Sequence, residues 1–534
     1  MRSLLGALSA KDFIAIAGYF AVVMSVGLFF SRKKKTTTDY FLAGRSLGWI
    51  GIGTSIFSAS ISIEHLVGYA AAGSTSGLAV AALELIASLV LLLLGWKLAP
   101  IFLQANVNTM PEFLEQRFGS SLRLTVSAVS IAFHTLTKFC LMLHIGTSLL
   151  KYLLNWDATT SAALLVIAAA AYTLLGGMKS VVYTNFIQAG ALIVGSLALA
   201  RIGLREAGAG FRHFFNTTPA DIWTMIRPID HPEFPWTGVL FGAPILAFWF
   251  LCTDQYMMQR VLGAKSSAQA RRGAILAALL KIAAVFLLVL PGMLAFKISG
   301  GNMSGDGSYG WMVTTFLPKG IRGAVIAGVF AVLMSSLSNT FHAGATLFSL
   351  DIFRKLQPRA GDKVLVNSGR LAAGFLAILG IAWIPIIGLH GSGGALMQLL
   401  NVQAAIAPPI AAVFLAGLFW KRADRTGAFA SLVVGLSLGG LRLILQAATD
   451  NTSSGGLWNF FVFGNPLHFA AIHFALCFAI LVFASRGAKR GTQPQADNVA
   501  TASSLPQRTE LNKLDLVASA IVVAVVVGLL LLLR

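Results

Sequence analysis

Apolar runs of about 18 or more residues, separated by short charged or Gly/Pro-rich breaks, recur roughly 14 times along this chain. A run of that length crosses the hydrocarbon core of a bilayer as a helix, and lipid offers a spanning backbone no alternative except a closed barrel. Almost nothing in the 534 residues is left for a soluble domain. The sequence therefore specifies an all-α integral membrane protein, and its 56% hydrophobic and 11% charged residues exclude both an ordinary soluble globule and a disordered chain. The first run, Phe13 to Phe30, has an acid and a lysine before it and no small-residue cleavage site after it. It reads as a retained helix and not as a signal peptide.

In a soluble protein a net charge of +20 would suggest nucleic acid as a partner. Here the basic residues fall in alternate loops, as the positive-inside rule requires, so no nucleic-acid partner is expected and the bilayer is the surface that the charge addresses. Arg32 to Lys35, Arg260 to Arg272, Arg354 to Arg370, Lys421 to Arg425 and Arg486 to Lys513 hold most of it, each after an odd-numbered span. Those loops are expected in the cytoplasm and both termini outside it. The loop from Arg201 to Pro235 carries four arginines on the expected outer side, partly balanced by Glu206, Asp221, Asp230 and Glu233. Long translocated loops tolerate such charge. The three cysteines lie in apolar spans without CxxC pairing and point to neither a disulfide framework nor a metal site. Arg486 to Asn512 reads as a flexible linker before a last, almost purely aliphatic helix with no polar face to line a path.

Three spans break the apolar pattern. Gly51 to Ala72 carries Ser58, Ser60, Ser62, Glu64 and His65 in its middle. A titratable group at that depth costs roughly 3 kcal/mol or more, so it normally faces a cavity, a partner or a transported species. The Pro244 to Arg260 segment is interrupted by Pro244 and by Cys252-Thr253-Asp254-Gln255. The two lie five spans apart, and an odd offset inverts orientation. Two inverted five-helix units, each beginning with a broken helix, are the architecture of an alternating-access transporter. The third span, Ile321 to Phe353, crowds Ser335, Ser336, Ser338, Asn339, Thr340 and His342 together. Adjacent serines either bond back to their own helix or supply oxygens to a hard cation, and spacing alone does not choose.

Seven collinear phrases between Asp39 and Lys421 resemble the sodium/solute symporter family, which includes the sodium/glucose cotransporters. They are DYFLAGRSLGW from Asp39, EHLVGYAAAGSTSGLAVA from Glu64, TMPEFLEQRF from Thr109, GGMKSVVYTNFIQ from Gly176, CTDQYMMQRVLGAK from Cys252, MSSLSNTFHAGATLFSLDIF from Met334 and APPIAAVFLAGLFWKR from Ala407. The resemblance implies a LeuT-like core of five plus five inverted helices, with a flanking helix before it and further helices after it. It also implies sodium entry that drives solute uptake. On that basis the divisions expected are a flanking helix and basic loop (1–47), a first repeat (48–204), an outer loop (205–235) and a second repeat (236–420). Two added helices (421–485), the linker (486–512) and a peripheral helix (513–534) complete the chain.

Carried over residue by residue, the family's shared sodium site implies the carbonyls of Ser58, Ile61 and Val332 and the hydroxyls of Ser335 and Ser336. A second sodium site in some members needs an Asp where this chain has Asn185 and a hydroxyl where it has Asn339. Losing that carboxylate removes most of the attraction for a second cation, so one coupling Na+ is expected. The solute ligands of sugar-transporting members fall on His65, Glu84 and Lys281. A structural Glu84–Lys281 pair is the alternative for two charges in otherwise apolar spans. The sugar pattern fades elsewhere: Ser60 replaces a usual Asn, Phe250 a gate Tyr, Leu251 a Trp and Leu400 a Gln. Gln403 is a candidate substitute ligand, and Phe250, with Trp249 beside it, a candidate aromatic lid.

The expectation is a secondary active symporter for a small polar solute, best matched by a monosaccharide or polyol. A carboxylate, sialic acid or amino acid is the alternative. A solute sensor or a sodium leak on the same fold would leave, respectively, no signalling domain after Lys421 and no use for Glu84 and Lys281. No phosphate loop, metal-spaced cluster or nucleophile elbow supports an enzyme, and no obligatory protein partner is evident.

Overall fold

The computed structural model describes residues 8–30, 36–208, 210–383, 394–449, 456–486 and 512–533. The basic run Arg32 to Lys35 and nearly all of the expected linker lie outside them. Among the described residues the regular elements are helices, and twelve of these are long and apolar enough to cross a membrane. A bent pair, Trp49–Ser60 with Ile63–Thr75, makes a thirteenth span, and the shorter apolar helix Ala158–Leu174 accounts for the rest of the expected count.

The first broken helix bends by 61°. Ile61 (φ −104°, ψ 95°) and Ser62 (φ −91°, ψ 176°) leave the helix for extended backbone. Ser60 turns its hydroxyl back onto the Phe57 carbonyl at 2.9 Å, the local competition by which serine loosens a helix end. The second broken helix runs through Trp236–Phe241, Ala243–Phe248, a π-helical turn Trp249–Thr253 and Gln255–Leu262. Its interruption falls at Asp254, which is extended (ψ 129°) and caps the next segment by accepting the Tyr256 amide at 3.1 Å. Pro244 sits harmlessly in the first turn of its helix, where no amide donor is needed. The two broken helices are tied at one end, because the Leu47 amide donates to the Gly263 carbonyl and the Lys265 amide to the Leu47 carbonyl, both at 3.0 Å.

Ser267–Ile298 packs along both halves of the first broken helix. Small residues allow the approach: a Cβ at Gly292 would stand 1.7 Å from the Ala70 carbonyl oxygen, and one at Gly273 2.6 Å from Ile52. This packing brings Lys281 to the break. Ile321–Leu347 is buried along most of its length and lies against Ala158–Glu206, where Tyr172 donates to the Met334 carbonyl at 3.1 Å. Ala158–Glu206 is itself two spans joined at Gly177, whose φ of 57° and ψ of −164° only glycine adopts without strain.

The last helix, Lys513–Leu532, is mostly exposed but anchored at its start. Its buried Asp515 accepts from Arg271 at 2.7 Å and from Arg272 at 3.0 Å, and Ser519 accepts from the Trp96 indole at 2.9 Å. A polar first turn docks it on Ser267–Ile298.

Candidate functional site

At the first break the Ser58 hydroxyl lies 3.0 Å from that of Ser335. Ser335 donates onward to the Asn185 side-chain oxygen at 3.0 Å. The Ser58 carbonyl is one of those a helix end leaves without an intrahelical donor. Its neighbours at Phe57 and Ala59 accept from Ser60 at 2.9 Å and from the Tyr256 hydroxyl at 3.1 Å. Tyr256 also sits beside Ser336. The Ser336 hydroxyl oxygen is buried with no hydrogen-bond partner among the described residues. Ile61 is the extended residue of the break, and Val332 lies one turn before Ser336; both are buried.

A different cation fills the space beside Asn185. Arg260, fully buried, donates to Ser55 at 2.8 Å and to Asn339 at 2.5 Å. Asn185 also donates to Ser55 at 2.9 Å and to Asn339 at 3.2 Å. No carboxylate pairs with Arg260 among the described residues.

On the other side of the break a cavity of about 550 Å³, counted with its mouth, brings together His65, Glu84, Lys281, Gln403 and Phe250. Glu84 and Lys281 form a buried ion pair. Lys281 also donates to Ser60 at 3.2 Å, and the Tyr69 hydroxyl to Glu84 at 2.5 Å. The His65 Nδ1 is tied to Ser62 at 2.8 Å, which leaves Nε2 as the ring's other polar atom. Ser60 does not line the cavity but stands behind Lys281. Trp249 does not line it either, and its ring meets Phe133 edge-on at 5.2 Å.

Beneath Phe250 lies a second polar cluster. The Lys138 ammonium sits 4.5 Å from the Phe250 ring centroid and 3.5 Å from that of Tyr256, with no hydrogen-bond acceptor among the described residues. Asp254 accepts from or donates to His134 Nε2 across 2.9 Å, according to the imidazole tautomer and the proton on the pair. Glu64 is buried with both oxygens unpaired among the described residues.

The profile of the sodium:solute symporter family matches residues 40–435. The chain belongs to that family. Sodium/glucose cotransporter 4 of Mus musculus is 34% identical over 475 residues, which cover 82% of this chain and 69% of that one. The sodium/myo-inositol cotransporter of Mus musculus is 34% identical over 484 residues, covering 82% and 67%. A solved structure of a Na+-coupled sialic acid symporter, substrate-bound and outward-open, aligns with a TM-score of 0.76 over 90% of this chain and 98% of that one. At 20% identity that likeness shows the fold, the LeuT-like all-helical class.

The symporter is thus a multi-pass integral membrane protein and a transporter, not an enzyme; sodium is its coupling ion, and the sodium gradient drives import of a small polar solute by alternating access. Sequence reasoning singles out His65, Glu84, Lys281 and Gln403 but passes over Tyr69 and Lys138. A tyrosine near a span end is an ordinary residue there, whereas Lys138 lies in the middle of the Ser120–Leu154 span, where a cation is costly and so is a signal in the sequence. An i,i+4 step from His65 is the one available signal for Tyr69.

Proposed function

We propose that the symporter couples one sodium ion to the import of a monosaccharide or polyol. The observation that carries this reading is the convergence of His65, Glu84, Lys281 and Gln403 on one cavity. Together they offer hydrogen-bond donors and acceptors of both kinds, the complement that a polyhydroxylated solute needs. The sugar and polyol cotransporters among the relatives support the same class. A carboxylate solute needs an uncompensated cation, and Lys281 is already paired with Glu84; a neutral solute fits better.

Sodium is held in this reading by the carbonyls of Ser58, Ile61 and Val332 and the hydroxyls of Ser335 and Ser336. The Ser58–Ser335 contact and the unpaired Ser336 oxygen support it. Five neutral oxygens bind a hard cation without the countercharge that would hinder its release. Arg260 supports a single ion: its buried positive charge shares Ser55 and Asn339 with Asn185 and so repels a second cation there. Phe250 serves as the cavity floor and lid, held by Lys138 and Tyr256 in place of a tyrosine hydroxyl. Helix ends at Glu206, Trp236 and Phe419 support repeats over 48–204 and 236–420. The charge pattern supports extracytoplasmic termini.

Uptake into proteoliposomes of labelled hexoses, inositol, sialic acid, proline and short carboxylates, with and without an inward sodium gradient, tests the proposal. Sodium-dependent accumulation of a hexose or polyol is expected. Accumulation confined to a carboxylate or amino acid would overturn it.

A further inference from the structure

The cavity has two unlike walls. Its polar groups come from the first broken helix and its neighbours: His65, Tyr69, Glu84 and Lys281. Ala395–Phe419, packed beside Ile63–Thr75, contributes Leu396, Leu399, Leu400 and Gln403 to the lining, one helical stripe whose first three members are leucine. Leu246 and Leu251 of the second broken helix continue the same apolar wall, so among the described residues Gln403 is that wall's only polar side chain. A fully hydroxylated pyranose carries hydroxyls around its whole rim, and one that meets Leu251, Leu396 or Leu400 finds no side-chain partner there. A hydroxyl left unpaired on desolvation is penalised, whereas a methyl group in the same place gains by leaving water.

We propose that the solute is a deoxy sugar, a pyranose in which a methyl group replaces one hydroxymethyl or hydroxyl-bearing substituent. Its hydroxylated edge lies on His65, Tyr69, Glu84 and Lys281 and its methyl on the leucine wall formed by Leu251, Leu396 and Leu400. This rests on the reading of the cavity as a sugar site and narrows it. Sites that hydrogen-bond a hydroxyl discriminate strongly against its loss, but an apolar wall discriminates in the opposite direction, by roughly tenfold to a hundredfold per misplaced group.

The test is competition and uptake with matched pairs in proteoliposomes of the full chain under an inward sodium gradient: D-glucose against 6-deoxy-D-glucose, D- and L-galactose against D- and L-fucose, and L-mannose against L-rhamnose. In at least one pair the deoxy sugar is expected to have a KM about tenfold or more below its parent. Leu400→Gln, which puts a hydrogen-bonding amide into the wall, is expected to reverse that preference, while Leu400→Met leaves it. If every transported pair favours the fully hydroxylated parent, the deoxy proposal fails and the sugar reading stands. If no sugar of either kind is transported while another solute class is, the sugar reading itself fails and takes this proposal with it.

Discussion

Removing the Glu84–Lys281 pair as a unit separates solute binding from structural bracing. Each single change, Glu84→Gln or Lys281→Met, strands an ionised partner that is at most about 5% exposed, and an uncompensated buried charge costs about 3–5 kcal/mol. Both single variants should therefore show a large fall in thermal midpoint and low yield. The double variant strands nothing: Gln at position 84 still accepts from Tyr69, and Met fills the lysine's path, so its stability should return to within about 2 kcal/mol of the native protein. If the pair also holds solute hydroxyls, the double variant loses two charge-assisted hydrogen bonds of about 1.5 kcal/mol each, or roughly a hundredfold in solute KM. Its sodium affinity, set on the other side of the break, should barely move. The assays are thermal unfolding in detergent with and without sodium, and initial uptake rates in proteoliposomes across solute concentration. A double variant that is stable and transports with a KM within about threefold of native would show that the pair only braces the helices.

Ser336→Ala removes a buried hydroxyl that has no protein partner among the described residues; it should leave sodium-free stability unchanged and raise the sodium KM about tenfold, and an unaltered sodium dependence of uptake would refute its role as a ligand. Lys138→Met keeps the side chain's bulk but removes the cation from the Phe250 and Tyr256 rings. The cation–ring attraction is worth about 1–2 kcal/mol, so without it sodium-independent solute leak should rise roughly fivefold to thirtyfold, and a leak no greater than native would show that the lid is held otherwise. Gly292→Ala drives a methyl group into the Ala70 carbonyl; separating the helices that carry His65 and Lys281 should abolish uptake and lower the thermal midpoint, whereas full activity would mean that this packing is not required.

The fold is legible where polarity is costly. Hydroxyls and charges in Gly51 to Ala72 mark the first break, because lipid makes such residues expensive unless the fold uses them. Of the two marks on the second break, Pro244 is uninformative, because a proline in a helix's first turn disturbs nothing, while the polar run Cys252 to Gln255 contains Asp254, where the interruption falls. The cavity's charged residues and Lys138 stand out against apolar spans, but Tyr69 and the leucine wall do not. An apolar residue facing a cavity and one facing lipid have the same sequence signature, and only the packing of Ser267–Ile298 and Ala395–Phe419 around the break distinguishes them. The anchoring of the last helix through Asp515 is equally hidden, since its partners Arg271 and Arg272 lie in a stretch that reads as an ordinary basic loop.

The most direct test of sodium coupling at a single site is the accumulation limit of the solute in proteoliposomes with membrane potential clamped at zero and an inward sodium gradient of about tenfold. One sodium per neutral solute makes about 1.4 kcal/mol available, so the internal solute should plateau at about ten times the external concentration. A plateau approaching a hundredfold would reveal a second coupled ion despite Arg260, and no accumulation at all would contradict coupled transport.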